Sequence, residues 1–330
     1  MSQPEIHTCP GTLATGYSTY SRTCLNRLFD GRTVSHILPY LPPPISEADA
    51  AKFQENRRRI SISGVQEKVS LILEKNTLRL TEPGEQGTYL LKPIPRNLKK
   101  VDQVPANEHL TMQIARQVYG IATAENALIF FQNGEPAYIT KRFDVRKEGG
   151  KWAVEDFASL AGKTSENAGP NYKYNFSYEE IADLVRRFIP AYRVELEKLF
   201  SLIVFNFLFS NGDAHLKNFS VLETTRGDHV LSPAYDLVNT RIHVDDSDFA
   251  LEKGLFREGT PNMQNRNTGL SDFLAFAKKI GIPDRRFEAL MKPFQTRRDE
   301  VEALTQRSYL NEATKRTYLL DYQTKRNRLQ

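Results

Sequence analysis

Apolar positions along this chain follow two rhythms. Up to about residue 155 they come in short runs separated by turn residues, which predicts strands; beyond it they recur at helical spacing. Residues 60–73 read as a strand, a small-residue turn and a second strand. Residues 78–80 and 89–93 add two strand candidates, with Glu82-Pro83-Gly84-Glu85-Gln86-Gly87 as turn chemistry between them. Residues 107–119 put Leu110, Ile114 and Val118 on one helical face, and Gly120 suits the C-cap. Residues 127–131 and 137–140 flank Asn133-Gly134, a hairpin signature.

In the helical part, 178–188 is amphipathic. The stretch 194–210 starts amphipathic and becomes apolar all round, so its second half is expected to be buried. A hairpin is predicted across 224–228 and a long loop over 241–268, carrying His243, Asp245, Asp246 and Asp248. Helices are predicted over 271–280, over 283–308 and from 312 onward. Residues 1–56 read as irregular, with a short helix at 22–29 and a stiff Leu41-Pro42-Pro43-Pro44. The pattern predicts an α+β chain in three parts. An irregular 1–56 precedes a small β-rich lobe with one helix, 57–145, and a larger, mainly α-helical lobe, 146–330.

Composition adds little to this. The 40% hydrophobic and 26% charged content is ordinary for a soluble globular protein. A net charge of +5 fits an anionic partner and is too small to identify one. The apolar run 199–209 contains Ser201 and Asn206 and is too short to span a bilayer. Residues 1–5 lack the basic-then-apolar pattern of an export signal. Only two cysteines are present, Cys9 and Cys24. They read as isolated thiols in a reducing, cytoplasmic setting, since a structural zinc site needs four ligands and His7 is the one other local candidate. The basic tail (Lys315, Arg316, Lys325, Arg326, Arg328) reads as a solvated helix face.

Candidate chemistry concentrates in Asn211-Gly212-Asp213-Ala214-His215-Leu216-Lys217-Asn218-Phe219. A buried helix feeds this polar loop, and a second apolar stretch then delivers Asp236. Phosphoryl transfer needs a carboxylate at the acceptor hydroxyl, and an amide and a second carboxylate on the metal that carries the nucleotide phosphates. Asp213, Asn218 and Asp236 have that order, with Asp213 and Asn218 five residues apart. Lys217 could neutralise charge on the transferring group, and the two metal candidates, Asn218 and Asp236, offer the oxygen that Mg²⁺ prefers. His215 could shape the loop by hydrogen bonding rather than react. On the phosphate side, Ser61-Ile62-Ser63-Gly64 is a small-residue turn between strands. Lys68 and Lys92 lie beyond it, and Glu108 is placed to hold Lys92. Each of these has an ordinary structural reading alone: a β-turn, a helix N-terminal carboxylate, a polar loop.

Taken together, Ser61-Ile62-Ser63-Gly64-Val65-Gln66-Glu67-Lys68, Lys141-Arg142-Phe143-Asp144, the loop from Asn211 to Phe219, and Pro233-Ala234-Tyr235-Asp236 resemble the HipA family of bacterial toxin Ser/Thr kinases. The likeness runs from residue 60 to about 300. It implies a two-lobed protein-kinase-like fold, ATP and Mg²⁺ as cofactors, an aminoacyl-tRNA synthetase as substrate, and a helix-turn-helix HipB-like antitoxin as partner, with DNA contacted only through that antitoxin. It implies that Ser63, Gly64, Val65, Gln66, Glu67 and Lys68 line the phosphate loop and that Lys92 is the strand lysine. Lys141, Arg142 and Phe143 would form the hinge against adenine. Asp213 would be the catalytic aspartate, and His215, Leu216, Lys217, Asn218, Tyr235 and Asp236 would complete the nucleotide and metal site. Ser61, and Ser63 as a second candidate, match the position that is autophosphorylated in the family. Two negative charges there would oppose ATP binding. With only 60 residues before Ser61, the chain is most similar to the short HipT toxins of three-component HipBST systems. In those, a small HipS protein supplies the missing subdomain and the tryptophanyl-tRNA synthetase is the substrate.

Two other readings compete with a toxin kinase. A catalytically silent kinase-like module would act only through antitoxin and repressor complexes, and the full set Lys92, Asp213, Asn218 and Asp236 argues against it. A small-molecule or lipid kinase would share the fold.

Overall fold

The computed structural model describes residues 6–42, 68–95, 99–245, 247–260 and 268–330. It divides into two compact units. The first comprises Met1–Gln113, Ala124–Phe143 and Ala303–Lys315; the second comprises Ile114–Thr123, Asp144–Glu302 and Arg316–Gln330.

The first unit is built on a five-stranded antiparallel sheet. Its strands are β1 (Val69–Glu74), β2 (Thr77–Leu80), β3 (Tyr89–Lys92), β4 (Asn126–Phe130) and β5 (Pro136–Lys141), in the order β2-β1-β3-β5-β4. The β4–β5 hairpin turns where Asn133-Gly134 predicted it. Gly134 sits at φ +87°, a left-handed conformation that glycine adopts without steric cost. One inserted helix separates β3 from β4, at Val104–Gln117. It starts earlier than the apolar spacing predicted, and Pro105 is tolerated because the first turn has no intrahelical N–H bonds to lose.

The described part of 1–56 is not a separate irregular piece. It belongs to the first unit and supplies part of its hydrophobic core. Tyr20, Leu28, Phe29, Val34 and Leu38 pack with Val69, Leu71, Leu91, Ile129 and Ile139 of the sheet. A short helix, α1 (Arg22–Leu28), begins at Ser21, whose Oγ accepts from Cys24 N at 3.2 Å. Tyr20 Oη donates to Leu128 O at 2.7 Å, and Tyr89 Oη donates to Leu28 O at 3.0 Å. Residues 36–38 run beside β4, with Phe130 N donating to His36 O and Leu38 N to Phe130 O. The two thiols expected to be isolated instead lie at one turn. The turn after Cys9 folds onto the start of α1, so Ser21 N donates to Cys9 Sγ at 3.1 Å and Cys24 Sγ lies over Gly11.

The second unit is mainly helical around a small antiparallel sheet, β6 (Val154–Asp156), β7 (Ser220–Glu223) and β8 (His229–Leu231). The hairpin β7–β8 was predicted. β6 was not, because three mostly exposed residues carry no alternation for the pattern to register. An amphipathic helix at Tyr178–Phe188 begins in a capping box between Ser177 and Glu180. The helix at Tyr192–Leu208 has its C-terminal half buried all round, as its sequence demands. At its end Phe205, Phe209, Tyr119, Phe294 and Tyr322 form a stacked aromatic cluster.

Two expectations for the C-terminal part are corrected. The single helix over 283–308 is two, Asp284–Thr296 and Arg298–Arg307, parted at Arg297 (φ −90°, ψ 40°). Pro293, in the last turns of the first, has no N–H to bond back along the helix. The basic tail is not simply a solvated face. Lys325 is fully buried, paired with Asp248 and 4.2 Å from the Phe207 ring, and Arg328 Nη2 binds the same carboxylate at 2.5 Å. The loop residue Asp248 is itself buried, which is why a buried lysine has a partner there.

Candidate active site

The second unit places Asp213, His215, Lys217, Asn218 and Asp236 around one tightly held loop. The helix at Tyr192–Leu208 ends in Phe209, and Ser210 then takes a left-handed φ of +52°. Thr240 clamps the turn: its Oγ1 donates to Ser210 O at 3.0 Å and accepts from Gly212 N at 2.9 Å. Asn211 Nδ2 reaches Asn206 Oδ1 at 2.9 Å, tying the loop back to the buried helix. Asp213 therefore leaves a rigid base, with a side chain 54% exposed. Tyr174 Oη donates to Asp213 Oδ1 at 2.8 Å.

His215 is buried, and burial pushes its pKa down to about 3, with the positive charge of Lys173 acting in the same direction. It is neutral near pH 7. Its Nε2 lies 3.7 Å from Asp213 Oδ1, which with a neutral ring is neither an ion pair nor a hydrogen bond. Its ring packs edge-on against Tyr174. Lys217 Nζ pairs with Asp156 Oδ2 at 3.1 Å. Asn218 Oδ1 is shielded from solvent and has no hydrogen-bond partner among the described residues. An orphaned amide oxygen is costly unless something takes it, and a hard divalent cation is a fitting taker. Asp236 occupies a left-handed backbone conformation at φ +56°. Such strain in a non-glycine residue collects at functional sites. Tyr235, the preceding residue, bonds through its hydroxyl to Ser220 Oγ at 2.6 Å and to Lys217 O at 2.9 Å, linking the segment before Asp236 to the loop.

In the first unit, Lys92 Nζ lies 2.5 Å from Glu108 Oε1, and both side chains are almost fully buried. Lys92 also sits 5.3 Å from the Tyr138 ring centroid. Of the residues expected at the hinge, Lys141 pairs with Asp30 at 2.6 Å, and Arg142 N donates to Thr88 O. Phe143 closes this part of the unit. Lys68 stands just before β1. Ser61, Ser63, Gly64, Val65, Gln66 and Glu67 lie outside the described residues. Sequence reasoning missed Tyr174, Asp156 and Thr240, because each reaches the loop from a distant segment and carries no local signature.

The buried histidines set an acid limit. His215 and, in the first unit, His109 (down to about 4, again by burial first) both resist protonation when folded. Below about pH 6.5 the unfolded chain binds a proton that the folded chain refuses. Stability is therefore full above that pH and falls as pH drops toward 4, by at most about 1.4 kcal/mol per pH unit for each histidine. Urea denaturation between pH 7.5 and 4.5 should show this slope, reduced in His215→Asn. An unchanged slope in that variant would refute the assignment.

Comparison with known proteins points one way. The family described as HipA-like C-terminal domain matches residues 60–302. A protein from Haemophilus influenzae described as a kinase candidate is 30% identical over 229 residues, 67% of this chain and 64% of that protein. The serine/threonine-protein kinase toxin HipA of Shewanella oneidensis is 25% identical over 248 residues, 69% of this chain and 53% of the relative. The chain thus spans between half and two thirds of the length of these two relatives. Among solved structures, HipA of the Shewanella oneidensis HipA, HipB and operator DNA complex superposes with a TM-score of 0.65 at 20% identity, covering 88% of this chain and 72% of that one. The Helicobacter pylori proinflammatory kinase CtkA gives 0.51 at 15% identity, covering 78% and 93%. These likenesses show the fold: a two-lobed, protein-kinase-like arrangement with a β-rich N-lobe and a mainly helical C-lobe.

Proposed function

The chain belongs to the family of proteins with a HipA-like C-terminal domain, and on that premise we propose that it is an ATP-dependent Ser/Thr protein kinase acting as the toxin of a toxin–antitoxin system. The observation that carries the reading is the orphaned Asn218 Oδ1, five residues beyond a solvent-facing Asp213 on a loop held at both ends. In this reading Asp213 accepts a hydrogen bond from the acceptor hydroxyl and turns its oxygen toward the phosphoryl group. Tyr174 fixes the rotamer of that carboxylate through Oδ1. Asn218 Oδ1 and the Asp236 carboxylate would hold Mg²⁺, which when bound offsets charge on the nucleotide phosphates. Lys217, oriented by Asp156, supplies positive charge near the developing phosphoryl charge. Lys92, steadied by Glu108, is the lysine for the ATP phosphates.

The finer assignments belong to the same proposal. The substrate is a serine of an aminoacyl-tRNA synthetase, the tryptophanyl enzyme first. Autophosphorylation at Ser61 or Ser63 switches the kinase off. The partners are a HipB-like antitoxin and a HipS-like protein, and the setting is the cytoplasm. In support, the Shewanella oneidensis relative was solved with HipB and operator DNA. No helix of the described residues is long and apolar enough to cross a membrane.

The purified chain incubated with γ-labelled ATP, Mg²⁺ and a panel of aminoacyl-tRNA synthetases should label a synthetase serine, read by phosphopeptide mass spectrometry. Label appearing only in metabolites of a cell extract would move the assignment to a small-molecule kinase. No transfer at all would favour the silent module.

A further inference from the structure

Cys9 and Cys24 take no part in the chemistry above. Cys9 Sγ sits in a nest of main-chain donors, Ser21 N at 3.1 Å, Gly11 N at 3.4 Å and Thr12 N at 3.4 Å, and its thiol donates to Ser21 Oγ at 3.3 Å. Converging N–H groups favour a negative charge on the sulfur. Cys24 Sγ lies on the other side of the same turn. It is so close to Gly11 that a Cβ there would meet it at 2.0 Å, and this requires glycine at position 11. The two sulfurs therefore flank one glycine. Hydrogen bonding from the Cys24 thiol, ahead of the opposing effect of burial, holds the Cys9 thiol well below its usual acidity range, while the same contact, with burial, raises Cys24. Among the described residues no group of three or more His, Cys, Asp or Glu side chains could hold a metal ion there. The arrangement is that of a nucleophilic sulfur beside a protonated one.

We propose that Cys9 and Cys24 form a peroxide-oxidisable thiol pair, with Cys9 as the attacking sulfur and Cys24 as the resolving one. The Cys9 thiolate attacks one oxygen of hydrogen peroxide; the S–O bond forms, the O–O bond breaks, and hydroxide leaves and takes a proton to become water. Cys24 then gives up its proton and attacks the Cys9 sulfur. The S–S bond forms, the S–O bond breaks, and a second hydroxide leaves as water. Both sulfurs are oxidised by one electron each and the peroxide is reduced. Both are also buried, so the oxidant is small and neutral, and bulky disulfides are excluded. The bond would link the turn at Cys9 to α1, two pieces of the cover on the first unit's sheet.

The test uses the full chain, folded, treated with hydrogen peroxide and, separately, with oxidised glutathione. Remaining thiols are blocked in denaturant and the peptides mapped without reduction. The expected result is a peptide pair joined through Cys9 and Cys24 after peroxide, both thiols free after oxidised glutathione, and a higher Tm that dithiothreitol reverses. Cys24→Ser should instead stop at the sulfenic acid on Cys9, trapped by dimedone, while Cys9→Ser should not react with dimedone. The proposal is overturned if peroxide leaves both thiols free at a dose that oxidises the urea-unfolded chain. It is equally overturned if dimedone labels Cys24 in preference to Cys9, or if glutathione adds to Cys9 in the folded protein. None of these readouts depends on kinase activity.

Discussion

Asp213→Asn is expected to lower phosphoryl transfer by about 10²–10⁴-fold, the range for loss of a positioned general base, with little change in stability. The asparagine is isosteric, its amide oxygen can still accept from Tyr174, and the side chain it replaces is 54% exposed. What it loses is the charge and basicity that meet the acceptor hydroxyl. Asp236→Asn is the companion, chosen because asparagine tolerates the left-handed backbone at φ +56° that most replacements would strain. Its loss should be restored in part by raising Mg²⁺, whereas that of Asp213→Asn should not. Transfer rates measured across a Mg²⁺ series, with thermal melts alongside, separate the two. Near-parental activity in both variants would remove the assigned roles.

The second large effect concerns Lys92 and Glu108. The pair is enclosed, with side chains only 4% and 3% exposed. Removing one partner leaves a buried charge without its counter-ion, which costs about 3–5 kcal/mol, whereas replacing both by apolar residues is often close to neutral. Glu108→Leu and Lys92→Met should each shift the urea midpoint strongly downward, and the double variant should recover most of the loss. A pair that an apolar couple can replace for stability is not kept for stability. The double variant, folded but without its lysine, is therefore expected to transfer no phosphate. Single variants that lose less than about 1 kcal/mol would show that the pair is solvated in solution.

Most of the scaffold was legible because its signals are local. Asn133-Gly134 announced the hairpin, the amphipathic spacing of 178–188 announced a helix, and the all-apolar half of Tyr192–Leu208 announced its own burial. The closeness of Asp213 and Asn218 was legible for the same reason, since five residues of one loop separate them, whereas Asp236 follows only after the β7–β8 hairpin. What escaped depends on where distant segments land. Asp156 is an ordinary helix cap until β6 pairs with β7 and brings it to Lys217. Cys9 and Cys24 look unrelated until the intervening turn is folded. Lys325 reads as a surface charge until Asp248, 77 residues earlier, is found beneath it.

The first unit draws on Ala303–Lys315 as well as on the start of the chain. Thr8 O accepts from Tyr309 Oη, Thr8 Oγ1 donates to Arg307 O, and Asn311 N donates to Gln103 Oε1. A ribosome adding roughly 5–20 residues per second needs about 15–60 s to make the 299 residues between Thr8 and Arg307. Over that interval the sheet can form from what has already emerged, but the bonds at Thr8 cannot. Vectorial synthesis thus leaves this unit unfinished until Ala303–Lys315 has been made, and a product truncated before it could not close the unit.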